Sequence, residues 1–185
     1  MMNPTDAKSP VSYPFRVSRL ARKGTDLTIT ADADQRAGLA KAHGLLSVER
    51  FDAEIAVRPW KADGVRVKGE VFADIVQECV VTLDPLPARI AQDFEALFIP
   101  EDSRLARQEW RDGEIVIEAE GADLPEPFSG DTIDLGAVAE EFFALAIDPY
   151  PRKKGTEIAS KAESATDEKK VGPLYEGLKK LRGEG

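Results

Sequence analysis

The sequence predicts an α+β domain: an antiparallel sheet of β-hairpins, open or partly barrel-like, with one short and one long helix and a disordered C-terminal linker. Three observations predict it. Val65, Val67, Gly69, Val71 and Ala73 alternate with Arg66, Lys68, Glu70, Phe72 and Asp74 directly after an Asp63-Gly64 turn, the pattern of a half-buried strand leaving a hairpin. Asp134 to Ile147 is a capped apolar stretch at helical spacing, ended by Asp148-Pro149 because the residue before proline is pushed out of helical geometry. From Arg152 to Gly172, Lys, Glu, Ser, Thr, Ala and Asp dominate, leaving almost nothing to bury.

In chain order, residues 1–10 form a flexible N-terminus. Val11 to Leu20 alternates as a strand, and Pro14 confines it to a sheet edge. Arg22-Lys23-Gly24-Thr25 turns into a second short strand, Asp26 to Ala31, so that the domain opens on a hairpin-like pair. Asp32 or Asp34 caps a short helix to Ala42, with Gly44 at the left-handed position that ends it. His43 falls in its last turn, where an imidazolium meets the helix dipole favourably. Leu46 to Pro59 is a strand whose alternation breaks around Asp52-Ala53-Glu54, as a bulge or a two-sided strand, and it pairs with the Val65–Asp74 run as a long hairpin. Extended chain from Ile75 to Leu83, a turn at Asp84-Pro85-Leu86-Pro87, and a strand from Ala88 to Ile99 make the second hairpin.

Pro100 to Asp112 reads as a charged loop anchored by Trp110, Glu114 to Glu118 as a short strand, and Gly121 to Asp131 as an acidic loop. The long helix places Leu135, Val138, Phe142 and Leu145 on one stripe, widened by Ala139, Phe143 and Ala146. The domain thus spans 11–151 and the linker 152–172. A tail helix at 173–182 carries Leu174, Leu178 and Leu181 at helical spacing beside Tyr175. That helix is too short to be stable in isolation, so it forms only by docking.

The 185-residue chain carries a formal net charge of −9, with a division that matters more than the sum. Residues 1–23 hold five Lys or Arg against one Asp, net +4, and residues 151–185 hold nine against six acids, net +3. The stretch between carries eleven against twenty-seven, net −16. An acidic body repels phosphate and attracts cations and basic partners. No run approaches the roughly 18 apolar residues of a membrane helix. The polar N-terminus lacks the apolar centre of a secretory signal, so the expected compartment is the cytoplasm. A lone Cys79 has no internal disulfide to make.

The usual phosphate-binding, dinucleotide, zinc-protease and nucleophile-elbow motifs do not occur. One cysteine and one histidine are too few for a zinc site, and neither a metal nor a cofactor is expected. Glu140 with Glu141, or Asp112 with Glu114, are the adjacent carboxylates on which a hydrolase would have to rely. Cys79, beside Val80 and Val81, reads as a small buried hydrophobe. The basic ends offer better material: Arg16, Arg19, Arg22 and Lys23 at the first strand and turn, and Arg152-Lys153-Lys154 after Tyr150. Cations beside an aromatic ring are the composition of a nucleic-acid contact.

The order Cys79-Val80-Val81-Thr82-Leu83-Asp84-Pro85-Leu86, Phe94 to Pro100, Ile133-Asp134-Leu135 with Glu140 or Glu141, and Pro149-Tyr150-Pro151-Arg152 resembles the YceD family of large-subunit ribosomal RNA accumulation proteins. Gly172-Pro173-Leu174-Tyr175 to Leu181 is similar to that family's C-terminal block. Many relatives carry Cys-x-x-Cys at the first site, whereas Thr82 stands here in place of the second cysteine, so no metal role transfers. The resemblance implies a non-enzymatic factor for accumulation of large-subunit ribosomal RNA. Its expected partner is a ribosomal RNA precursor, or a basic ribosomal or RNA-processing protein. The candidate contacts are Arg16, Arg19, Arg22, Lys23, Tyr150, Arg152, Lys153, Lys154, Leu174, Tyr175, Leu178 and Leu181. An acidic holder of a basic protein and a carboxylate hydrolase are the alternatives.

Overall fold

The computed structural model describes residues 8–103, 110–111, 114–115 and 125–153. It resolves into two units, Met1–Lys153 and Lys154–Gly185. The expectations for Lys154, for most of the 152–172 linker and for the 173–182 helix lie outside the described residues, as do the remainder of the 100–112 loop and of the 114–118 strand.

The strands are β1 (Pro14–Arg16), β2 (Thr25–Thr30), β3 (Ser47–Trp60), β4 (Gly64–Glu78), β5 (Pro85–Pro100), β6 (Trp110–Arg111), β7 (Glu114–Ile115), β8 (Glu126–Phe128) and β9 (Thr132–Asp134). The helices are α1 (Ala33–Ala42) and α2 (Leu135–Ala146). The main sheet is open, in the order β2-β3-β4-β5-β8, antiparallel except for the parallel β5–β8 pair. Alternation along β3 and β4 points Phe51, Ala53, Ile55, Val57, Val65, Val67, Val71 and Ile75 to one face, where all are buried. On that face α1 lies against β3, and α2 against β4 and β5.

Helix α1 starts at Asp32, of the two candidate caps. The Asp32 carboxylate accepts from Gln35 N at 2.9 Å and Gln35 Oε1 accepts from Asp32 N at 3.0 Å, so each satisfies a backbone donor the helix leaves unpaired. Its end is Gly44, at φ +64°, with Leu45 N donating back to the Ala40 carbonyl at 2.9 Å. Helix α2 starts at Asp134, whose Oδ1 accepts from Gly136 N and Ala137 N at 3.1 Å each. The same carboxylate accepts from Ser12 Oγ at 2.5 Å and Tyr13 N at 2.7 Å, so one side chain both caps the helix and holds the segment before β1. Burial pushes the Asp134 pKa up, but the Ser12 hydroxyl and the Tyr13, Ala137 and Gly136 amides together bring it below the usual carboxylate range.

Five expectations are corrected. The first strand is only three residues long and passes into a 3-10 turn at Val17–Arg19; it pairs with β9, not with β2, so there is no opening hairpin. Strand β2 pairs instead with β3, across α1. The bulge lies between Val48 and Arg50, because Asp52, Ala53 and Glu54 keep regular partners on both sides. The second hairpin turns at residues 79–84, with Pro85 and Pro87 already in β5, where their missing N–H groups fall on a strand side without a partner among the described residues. In the two loops, Trp110–Arg111 and Glu126–Phe128 are strands.

The fifth correction concerns α2. Its buried residues are Leu135, Gly136, Val138, Ala139 and Phe143, while Leu145 is 74 % exposed. The inward face is turned by roughly 60° from the expected stripe. Gly136 approaches the Val11 carbonyl and Phe143 enters the core, which carries Leu145 to the outside. Phe142, half-buried, stacks on Phe94 with ring centroids 5.0 Å apart.

Candidate functional site

Of the basic residues named from the sequence, Arg16 and Arg19 fall near one end of α2 and Arg152 and Lys153 near the other. At its N-terminal end the β1–β9 ribbon presents Arg16 and the 3-10 turn after it presents Arg19, both exposed. The segment is fixed by Asp131. Its carboxylate accepts from Ser18 N at 2.7 Å and Ser18 Oγ at 2.5 Å, and its carbonyl accepts from Val17 N at 2.9 Å. The Ser18 hydroxyl, then the Ser18 amide, and then the charges of Arg16 and Arg19 hold the Asp131 carboxyl below its ordinary range against a burial effect that raises it. Arg16 and Arg19 line a hollow of about 410 Å³ with Tyr13, Pro14 and Phe15. Tyr13 is 43 % exposed there. Arg22 and Lys23, both exposed, occupy the tight turn closed by Gly24 N and the Ala21 carbonyl at 2.8 Å.

At the other end, the chain leaving α2 is strapped to the 79–84 turn. Gln77 Nε2 donates to the Asp148 carbonyl at 2.8 Å, Val80 N donates to the Pro151 carbonyl at 3.0 Å, and Lys153 Nζ meets Asp84 Oδ2 at 3.3 Å. The strap leaves Tyr150 70 % exposed and Arg152 exposed, beside a turn whose Val80, Val81 and Leu83 also face solvent. Because α2 has 12 residues, about 18 Å of helix separates this cluster from the Arg16–Arg19 end. The two basic groups are therefore distinct surfaces. Lys154, Leu174, Tyr175, Leu178 and Leu181 lie outside the described residues.

Cys79 is buried, but its surroundings are polar. The Thr82 hydroxyl donates to the sulfur, as do the amides of Thr82, Lys153 and Val81, and these bonds bring the thiol pKa down to about 6 against the raising effect of burial. The turn closes through Leu83 N on the Cys79 carbonyl and Cys79 N on the Asp84 carbonyl, at 2.9 Å each, with Leu83 at φ +60°. The residue three places on from Cys79 thus supplies a hydrogen-bond donor to its sulfur. No group of three or more His, Cys, Asp or Glu able to hold a metal ion occurs among the described residues.

A consequence is measurable. A thiol whose folded pKa is depressed contributes stability that is present above the unfolded pKa and lost as pH falls through the folded value. The chain therefore gains stability between about pH 6 and 9 from this group. Cys79→Ala removes that part of the rise, and Thr82→Val narrows it by raising the thiol pKa. Urea midpoints across the range, with thiolate absorbance as the titration readout, check both; identical pH profiles for wild type and Cys79→Ala would contradict the assignment.

The adjacent carboxylates do not converge. Glu140 reaches back to His43, with Oε1 2.9 Å from Nε2, while the His43 ring packs edge-on against Phe143. Glu141 is exposed and faces Glu126, whose pKa is raised first by burial and then by Glu141. His43 thus gains a partner 97 residues away that no local pattern announces. Asp112 lies outside the described residues, and Glu114 is paired in register with Arg111. Sequence reasoning also passed over Tyr13, although an aromatic residue beside Pro14 in an edge strand is a signal for an exposed ring. The bonds from Thr82 to Cys79 had no such signal.

No helix among the described residues is long and apolar enough to cross a membrane. No curated protein and no solved structure matches the chain. A family model described as "Large ribosomal RNA subunit accumulation protein YceD" matches residues 67–182, from early in β4 through the 79–84 turn, α2 and the strap into the C-terminal region. With well over half of the sequence inside that match, the chain belongs to the YceD family of large ribosomal RNA subunit accumulation proteins.

Proposed function

We propose that the chain acts in ribosome biogenesis by binding rather than turnover, and that its contact with large-subunit ribosomal RNA is the basic end formed by Tyr13, Arg16 and Arg19 with Arg22 and Lys23. The family description supports the ribosomal role. The observation that carries the contact is the hollow in which an exposed tyrosine ring stands beside two arginines. A ring offers an unpaired base a stacking surface, and guanidinium groups take the flanking phosphates; neither needs a particular base. Ser18 and Asp131 fix the backbone between the two arginines, which reduces the ordering cost on binding. The acidic stretch between the basic ends turns phosphate away, which favours RNA approaching from this end.

Two measurements test the reading. In cells lacking the chain, the ratio of large- to small-subunit ribosomal RNA falls and is restored by the wild-type chain. A Tyr13→Ala, Arg16→Ala, Arg19→Ala variant restores it poorly. In vitro, each arginine removed lowers the slope of log affinity against log salt for a single-stranded RNA by about 0.7, and Tyr13→Ala costs about 1–3 kcal/mol of binding. An unchanged ribosomal RNA ratio sinks the role, and an unchanged slope sinks the site.

A further inference from the structure

The helices cover one face of the main sheet. On the other face, strand register sets the side chains in rows, and one row runs Thr28, Glu54, Glu70, Asp93 across β2, β3, β4 and β5. Glu54 stands directly opposite Glu70, and Glu70 directly opposite Asp93. Strands lie about 5 Å apart, and like charges placed opposite one another at that distance destabilise a sheet. The basic residues around the row are already engaged: Arg58 with Asp26, Arg50 with Asp52, Arg66 and Lys68 with Glu95, Arg89 with Asp74. Among the described residues, no ion pair or side-chain hydrogen bond reaches Glu54, Glu70 or Asp93.

Two features beside the row fit a ligand with long cationic side chains. A hollow of about 480 Å³ opens where small Ala56 lies between Glu54, Lys68 and Glu70. The adjoining row carries half-buried Phe72 and exposed Ala91, an apolar shelf on which aliphatic stems can lie while their heads reach the carboxylates. Lysines or arginines three or four residues apart on a helix stand about 5–6 Å from each other, close to the strand spacing that sets the carboxylates.

We propose that this sheet face, uncovered among the described residues, is a docking surface for a Lys/Arg-rich polypeptide segment, held by Glu54, Glu70 and Asp93. The occupant is a basic polypeptide because the surface is short of positive charge along its middle and supplies apolar rests for stems. RNA does not fit, since the carboxylates repel its phosphates. The surface is separate from the Arg16–Arg19 end, opposite to it in charge, and stands whether or not that end binds RNA. Together they would let the chain hold a basic protein and RNA at once.

The test uses the full chain, a fluorescent twelve-residue oligolysine and, separately, a single-stranded oligouridylate, at fixed ionic strength. The variant is Glu54→Gln, Glu70→Gln, Asp93→Asn. Its charge-matched control is Asp34→Asn, Asp63→Asn, Asp102→Asn, three exposed acids away from this face. The face variant weakens oligolysine binding by about tenfold or more, while the control stays within about twofold of wild type. The face variant also melts a few degrees higher, because relieved repulsion stabilises the sheet. Oligouridylate affinity does not fall in it. Equal losses in both variants would mean attraction to bulk charge and overturn the proposal, as would no loss in the face variant, a lower melting temperature, or weakened RNA binding.

Discussion

Replacing Phe143 with alanine lowers the stability of the domain by about 3–5 kcal/mol, the range for deleting a large aromatic side chain from a packed core. Phe143 has no exposed surface. Its ring meets Phe51 edge-on at 5.4 Å and His43 edge-on at 5.4 Å, so one side chain fixes α2 to both β3 and the end of α1. Removing it leaves a void bounded by β3 and by the His43–Glu140 pair, neither of which can collapse into it without losing its own partners. A melting temperature lowered by about 10 °C or more is expected for a domain of this size. Phe143→Leu retains most of the volume and loses much less. Equal losses for leucine and alanine would show that the ring contacts, and not the volume, carry the effect.

Gly136→Ala destabilises by about 3 kcal/mol, although helix propensity alone predicts a gain of about 1 kcal/mol. A Cβ at position 136 would sit 1.8 Å from the Val11 carbonyl oxygen, 2.6 Å from its carbon and 2.8 Å from Tyr13 N. All three are backbone atoms, so no side-chain rotation relieves the overlap. Relief requires the 11–13 segment to swing away, which breaks the bonds from Ser12 and Tyr13 to Asp134 and from Leu135 N to the Tyr13 carbonyl. The same movement displaces the Tyr13–Arg19 end. The variant should therefore lose stability in urea and become susceptible to proteolysis near residues 12–23. Increased stability, as propensity alone would give, would mean that α2 does not approach the 11–13 backbone this closely.

Much of the fold was legible because its signals are local. Asp63-Gly64 with period-two runs on both sides specifies the β3–β4 hairpin, and backbone geometry leaves that register few alternatives. Gly44 and Asp134 act on backbone groups within a few residues of themselves, so the end of α1 and the start of α2 could be read directly, whereas Asp32 and Asp34 both qualified as the cap of α1. Pro14 marks an edge strand, which it is. Which edge it belongs to could not be read. Strand β1 is three residues long and its partner is β9, more than a hundred residues on, so the choice rests on the shared carboxylate of Asp134 and not on any pattern in β1.

The candidate contacts divide in the same way. Arg16 and Arg19 were visible as charge, but the ring and hollow beside them depend on how the ribbon meets α2. Cys79 read as hydrophobic because its neighbours in sequence are valines; the turn instead surrounds its sulfur with donors, one from Lys153 far along the chain. Glu140 and Glu141 are adjacent in sequence, yet helical geometry sends one to His43 and the other towards Glu126.

The sequence by itself determined the α+β class, the two hairpins, the cap of α2, the acidic body with basic ends and the family resemblance. Each of these depends on residues close together in the chain or on composition. Only the tertiary structure decided the partner of β1, the inward face of α2, the polar setting of Cys79 and the row of facing carboxylates. Those depend on which distant backbone segments approach within a few ångströms, and at that range one missing Cβ or one shared carboxylate outweighs any local preference.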